Sequence, residues 1–187
     1  MKKKVMILTL TVVALFLVGY TTLGSAKTTN EVAKEWDLSA DTIDSLSLLG
    51  AEQDVKMTII KTDQDKTVVK LVGKVSSKTE KELEQAKVAL GSLEIVLSDP
   101  SDFKLMPNND GKSELEMQVF LGKEVSLKKV KIESVVGNIT VTIPQDFQGD
   151  YVTVAKNGGE VLEVPETSNE QTKVLEVSTI GDIRIKK

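Results

Sequence analysis

The chain has neither cysteine nor histidine in its 187 residues. Thiol nucleophiles, disulfides, thiolate or imidazole zinc sites, and triads that pass a proton through imidazole are therefore excluded. Chemistry built on oxygen ligands survives, such as a hard cation held by Asp and Glu. Aromatic residues are scarce at 4%, which leaves little for a sugar-stacking platform and requires the core to come from Val, Ile and Leu. The β-branched part of that set fits a pleated sheet better than a helix. Hydrophobic residues at 40% and charged residues at 28% are the balance of a folded chain. Once an N-terminal segment is set aside, the length is that of one ordinary domain.

Positive charge is also in short supply. The formal net charge is −4, and without Lys2, Lys3 and Lys4 the balance is 21 basic residues against 28 acidic, or −7. Phosphate backbones are bound by clustered Lys and Arg, so nucleic acid is not an expected partner.

What is present begins with a leader. Met1 to Ala26 opens on those three lysines and continues from Val5 to Val18 as an apolar run broken only by Thr9 and Thr11. This is the charged and hydrophobic order of a signal peptide, with small residues at Gly24, Ser25 and Ala26 suited to cleavage after Ala26. The uncharged stretch from Val5 to Leu23 is also long enough to cross a bilayer uncleaved. Residues 1–26 are thus expected to be a signal peptide or a membrane anchor. In both cases the lysines stay on the cytoplasmic side and everything after Lys27 faces outward, secreted or held at the membrane by residues 5–23. Leu17-Val18-Gly19 is followed by Tyr20 where a lipoprotein would carry its cysteine, so lipid anchoring is excluded. An exported chain without cysteine suits a Gram-positive envelope, where disulfides are little used.

Residues 27–38 are polar, contain Trp36 as the sole tryptophan, and are expected to form a tether or first edge, with Trp36 sealing one end of the core. Residues 39–187 read as one β-rich domain. Short alternating runs bounded by turn residues recur throughout, the pattern of half-buried strands. Val55, Met57 and Ile59 form one run, and Leu115, Met117, Val119 and Leu121 another. Further runs are Leu127 to Ile132, Ile139 to Ile143, Tyr151 to Val154, Val161 to Val164, Lys173 to Val177 and Ile183 to Ile185. The turn Thr62 to Asp65 predicts a hairpin between the Val55 run and Lys66 to Gly73. A second hairpin is expected about Gly91-Ser92. One short helix is expected near 78–86, with Ser77 and Glu80 at capping-box spacing. Asp99 to Asp102 and Pro107 to Gly111 punctuate the middle as turns.

The most specific internal signal is a glycine period. Gly137-Asn138-Ile139, Gly159-Glu160-Val161 and Gly181-Asp182-Ile183 stand 22 residues apart. The first and third copies extend as Ser134-Val135-Val136-Gly137 against Ser178-Thr179-Ile180-Gly181, and the second departs at Glu163, where its neighbours have Val141 and Ile185. A fixed period in the low twenties predicts stacked coils that bury their apolar faces against one another, a β-solenoid, with a β-sandwich as the alternative. Gly137, Gly159 and Gly181 would turn tight corners, while Asn138, Glu160 and Asp182 face solvent. Exposed solenoid ends would invite association or capping, and Lys186 and Lys187 after Ile183 to Ile185 would discourage edge pairing there.

The path Trp36-Asp37-Leu38, Ile43 to Leu48, Asp54 to Met57, Val68 to Gly73, Leu93 to Ile95 and the ending Gly181-Asp182-Ile183-Arg184-Ile185 resembles the bacterial "putative adhesin" β-solenoid domain of LiaG-like envelope proteins. The chain looks like a shortened member, with two near-matches to the family's Ser-Gly-Asp-Ile coil. That resemblance implies an extracytoplasmic solenoid, adhesin-like and associated with envelope stress, and brings no catalytic residues.

Other constellations are weaker. Asp63-Gln64-Asp65 and the Asp99 and Asp102 pair lack the further oxygen ligands and terminal Glu of a calcium loop, and read as solvated turns. The lysines between Lys123 and Lys131 read as a solvated strand face, with teichoic acid or lipid headgroups as the functional alternative. The expectation is a non-enzymatic interaction module of the cell envelope, with no catalytic, cofactor or metal residues. Its partner would be an envelope protein or cell-wall polymer, and the membrane if the leader is retained. The alternative is a cation or small-ligand domain using Asn138, Glu160 and Asp182 as corner oxygens.

Overall fold

A computed structural model describes residues 30–38, 43–98, 113–167 and 172–187. The leader, the turn clusters after Ser98 and the Asp99 and Asp102 pair lie outside these residues. The architecture is all-β, as expected, with thirteen strands and one short helix among the described residues. The strands are β1 (Asn30–Asp37), β2 (Ser45–Ala51), β3 (Asp54–Lys61), β4 (Val68–Val75), β5 (Lys87–Ala89), β6 (Ser92–Val96) and β7 (Glu114–Leu121). They continue with β8 (Lys129–Ser134), β9 (Ile139–Thr142), β10 (Asp150–Lys156), β11 (Val161–Glu163), β12 (Val174–Ile180) and β13 (Ile183–Lys186).

Two sheets share one hydrophobic core. Sheet A runs β1-β4-β7-β3-β9-β13-β11, and sheet B runs β10-β12-β8-β2-β6-β5. Each strand of sheet B from β2 onward that leads directly into sheet A makes a coil with the next one: β2 with β3, β6 with β7, β8 with β9, β10 with β11, and β12 with β13. Both sheets then stack these coils in the same spatial order, second, first, third, fifth, fourth. Neighbouring coils pair in parallel in both sheets. The parallel coil stack is the feature a solenoid requires, and the two facing sheets with antiparallel additions are those of a sandwich.

Alternation of period two places the core. Leu93, Leu46, Val130 and Leu175 stand in register across sheet B, as do Ile95, Leu48, Ile132 and Val177. Across sheet A the matching rows are Leu115, Val55, Ile139 and Ile183, and Met117, Met57, Val141 and Ile185. All sixteen are buried. One-residue slips would turn each set to solvent, so the rows hold the register.

The two ends of the stack differ. Beyond β7, sheet A continues antiparallel through β4 and β1, so Asn30–Asp37, within the stretch expected as tether or first edge, is an edge strand. Trp36 packs against the core, partly buried. Cross-strand pairs Lys70 with Glu35 (3.0 Å) and Lys74 with Glu31 (3.6 Å) line this edge. Helix α1 (Ser77–Leu83) packs against β1 and β6 and buries Leu83. Its N-cap is Ser76, one residue before the expected Ser77, because the Ser76 hydroxyl accepts from the Thr79 N–H at 3.1 Å. Glu80 turns instead to Asn30, whose amide donates to it at 2.6 Å. At the opposite end stand β10 and β11.

Two expectations are corrected. The Thr62 to Asp65 turn does not close a hairpin, because β7 lies between β3 and β4. An eight-residue strand with four buried aliphatic or Met side chains fills that slot, and the loop crosses the width of one strand. The C-terminal strand β13 is not an edge, since β9 and β11 flank it. The second hairpin forms as expected between β5 and β6, with Leu90 (φ 51°) and Gly91 (φ 75°) in the left-handed region that a two-residue primed turn demands.

Ile132 lies at the centre of one buried row, so Ile132→Ala should lower stability by about 2–5 kcal/mol. Chemical denaturation followed by circular dichroism measures it, and a loss under about 1 kcal/mol would mean that this row is not packed as described.

Candidate functional site

The corner from sheet B to sheet A gathers the residues that the glycine period singled out. Their spatial order is Gly137, Gly181, Gly159, because the fifth coil lies between the third and the fourth. Neighbouring coil backbones pass close together here. A Cβ on Gly181 would stand 2.4 Å from the Gly137 carbonyl oxygen, and one on Gly159 would stand 2.1 Å from that of Gly181. Gly181 also has φ +149° and Gly137 φ +117°, values that side chains rarely adopt. Close approach and backbone freedom together exclude other residues.

The residue after each glycine joins a ladder. The Asn138 N–H donates to Asp54 Oδ1 at 2.8 Å, the Asp182 N–H to Asn138 Oδ1 at 3.0 Å, and the Glu160 N–H to Asp182 Oδ1 at 3.0 Å. In return the N–H groups of Val55, Ile139 and Ile183 donate to the carbonyls of Asn138, Asp182 and Glu160, each at 2.9 Å. Short polar side chains suit this role because they reach backbone groups of an adjacent turn without leaving it. Asn138 separates the carboxylates of Asp54 and Asp182 with a neutral amide. Asp54 is a member that the glycine period could not reveal, since Gln53 stands where the third, fourth and fifth coils have glycine.

Beneath the ladder two buried hydroxyls bind the coils. Thr179 Oγ1 donates to the Gly137 carbonyl at 2.6 Å, and Ser134 Oγ lies 2.8 Å from the carbonyls of both Ala51 and Val136. Sequence matching aligned Ser134 with Ser178. The strands pair Ser178 with Glu133, so Thr179 is the structural counterpart of Ser134 and the third coil carries one extra residue before its glycine.

With this geometry in place, comparison with known proteins adds a likeness. No family model and no curated protein matches the chain. Similar solved structures include a putative cell adhesion protein from Clostridium sporogenes, at TM-score 0.37 and 14% identity over 84% of this chain and 99% of that one. Another is a putative adhesin from Parabacteroides distasonis, at TM-score 0.40 and 16% identity over 87% of this chain and 57% of that one. A putative adhesin from Bacteroides fragilis follows at TM-score 0.34 and 13% identity, over 87% of this chain and 99% of that one. The descriptions agree with the resemblance read from the sequence. At these values they carry no argument for a ligand or an activity.

The remaining candidates resolve into surface features. Asp63, Gln64 and Asp65 are exposed in the β3 to β4 loop, and no group of three or more acidic residues suited to a metal ion occurs among the described residues. In the lysine stretch, Lys128 pairs with Asp44 at 3.1 Å, Lys129 with Glu176 at 2.9 Å and Lys131 with Glu133 at 3.1 Å. Carboxylates thus neutralise most of that strip. No helix among the described residues is long and apolar enough to cross a membrane.

At the opposite corner, a cleft of about 20 Å³, room for roughly one water, is lined by Ile59, Lys61, Leu127, Pro144, Phe147 and Lys173 among others. Lys173 lies 5.8 Å from the Phe147 ring centroid, and that ring lies 6.1 Å from Tyr151. Burial raises the Tyr151 phenol above its usual range, and its buried hydroxyl has no hydrogen-bond partner among the described residues. Lys61 and Asp146 form an ion pair at the rim. The hydrogen bond from Lys61 is the main cause that holds the Asp146 carboxyl below its usual range, against a smaller opposing effect of desolvation.

Two outcomes follow for the corner and the rim. Asp182→Asn keeps the acceptor oxygen and should melt like the parent, whereas Asp182→Ala should cost roughly 0.5–1.5 kcal/mol and Gly181→Ala at least about 1–3 kcal/mol. Equal melting temperatures for the Asn and Ala variants would remove the ladder's structural role. At the rim, the folded pKa of Asp146 lies below its unfolded value. The ion pair therefore contributes stability above about pH 4 and loses it as pH falls through the lowered value. Lys61→Gln should flatten the acid limb of a stability-against-pH curve below about pH 4, and an unchanged limb would sink this assignment.

Proposed function

We propose that this chain is an extracytoplasmic, non-enzymatic module of the cell envelope, adhesin-like in displaying sheet faces and one stack end to an envelope protein or wall polymer. The observation that carries the reading is the corner ladder. The oxygens of Asp54, Asn138 and Asp182, the side chains best suited to hold a cation or small ligand, accept backbone N–H groups of adjacent coils and so hold the stack together. Lys128, Lys129 and Lys131 of the lysine strip are likewise paired within the chain. Polar chemistry is directed inward to architecture, which suits a protein that acts through surface and position. The leader supplies the position. The same ladder weighs against the cation-binding alternative.

The test is fractionation of cells producing the full chain, with intact mass measured in washed membranes and in the medium. A product outside the cytoplasm is expected, lacking Met1 to Ala26 if released and full length if tethered. Recovery from the cytoplasm alone would end this reading. Calcium added to the purified protein should give neither heat nor a rise in melting temperature, and a saturable rise would install the cation-binding alternative in its place.

A further inference from the structure

The end of the stack formed by β10 and β11 is unlike the end closed by β1 and α1. Among the described residues β10 pairs with β12 alone. Its outward side chains Val152 and Val154 are 50% and 43% exposed, and Val161 and Leu162 on β11 are 45% and 47% exposed. At the opposite end, the sheet A edge carries the Glu31, Glu35, Lys70 and Lys74 ion pairs instead, and the sheet B edge is the short β5. An edge strand with apolar outward residues is a template for another strand.

The backbone says how that strand would be read. Asp150 lies opposite Val174, and its N–H donates to the Lys173 carbonyl. In a parallel ladder this turns the N–H and C=O groups of Asp150, Val152, Val154 and Lys156 toward β12, and those of Tyr151, Thr153 and Ala155 toward the open side. We propose that β10 is a self-pairing edge that joins two copies of this chain, antiparallel and centred on Thr153, across a two-fold axis normal to sheet B.

That register is self-complementary at every position. Thr153 exchanges both hydrogen bonds with its own copy, and Tyr151 does the same with the partner's Ala155, so the open-side backbone groups of all three are satisfied. Val152 stands beside the partner's Val154 on the exposed face, in the close non-hydrogen-bonded spacing where β-branched pairs pack. Asp150 stands opposite the partner's Lys156, twice over. Neither Asp150 nor Lys156 has an ion-pair partner among the described residues. On the other sheet the edge strand β11 is only three residues long and is followed closely by Pro165, which lacks an N–H, so the seven-residue β10 offers the longer edge. A two-fold contact uses the same patch on both copies and closes at two, whereas head-to-tail stacking would set the seven-residue β10 against β5, the three-residue far edge of the same sheet.

The full-length chain, in mild detergent if the leader is retained, is to be sized by sedimentation velocity over a range of concentrations. A monomer–dimer equilibrium is expected. Lys156→Glu should raise its dissociation constant roughly tenfold by replacing two attractions with repulsions, and the exchange Asp150→Lys with Lys156→Asp should restore it. Thr153→Cys, which introduces the chain's sole thiol, should give a disulfide-linked dimer on mild oxidation. Facing Cα atoms at such a pair lie about 5.5 Å apart, within disulfide reach. A monomer throughout overturns the proposal. So does a dimer indifferent to Lys156→Glu, or one in which Thr153→Cys does not cross-link.

Discussion

Neighbouring strands in a sheet lie about 4.8 Å apart, and each coil of this protein has to turn its corner within that spacing. The turn from sheet B to sheet A meets the constraint with glycine backbones in near contact and with a side-chain oxygen from one coil bonded to the N–H of the next. The rows of Leu, Ile, Val and Met depend on this, because parallel coils align their buried side chains only while their corners remain in step. Buried hydroxyls at Ser134 and Thr179 supply the same service one layer deeper.

The constraint also explains why this surface is poor in free functional groups. Carboxylates at the corner serve the backbone, and Lys70, Lys74, Lys129 and Lys131 on the strands are matched by neighbouring acids. Surface ion pairs contribute little stability, yet charged side chains along an edge such as β1 are a common guard against pairing with another chain. The β10 end has no such pairs among the described residues, and its self-complementary edge is the surface proposed to meet a second copy.

Much of this was legible in the residues. Period-two runs located strands from β7 to β13 to within a few residues, since a strand with one buried face must alternate. The glycine period marked the corner, because only glycine tolerates the approach there. Glu163 was a sign as well: the copy that departs from its neighbours is the copy at the end of the stack, where the register shifts after Val161 and sets Glu163 beside Arg184. Asp54 and Thr179 were not legible. Gln53 breaks the glycine pattern before the former, and an extra residue in the third coil displaces the latter from its apparent counterpart.

The amino-acid sequence by itself determined which residues face inward, where the chain turns and that the sheets are built from Val, Ile, Leu and Met, for these follow from local alternation and backbone sterics. Only the tertiary structure decided which strand lies beside which. The fifth coil sits between the third and fourth, and β7 between β3 and β4, because neighbours are selected by how much apolar surface each arrangement buries. The buried faces of β12 and β13, with Leu175, Val177, Thr179, Ile183 and Ile185, lie inside the stack, and β10 and β11 are left at its end. That comparison is made between segments far apart in the chain, and no local pattern contains it.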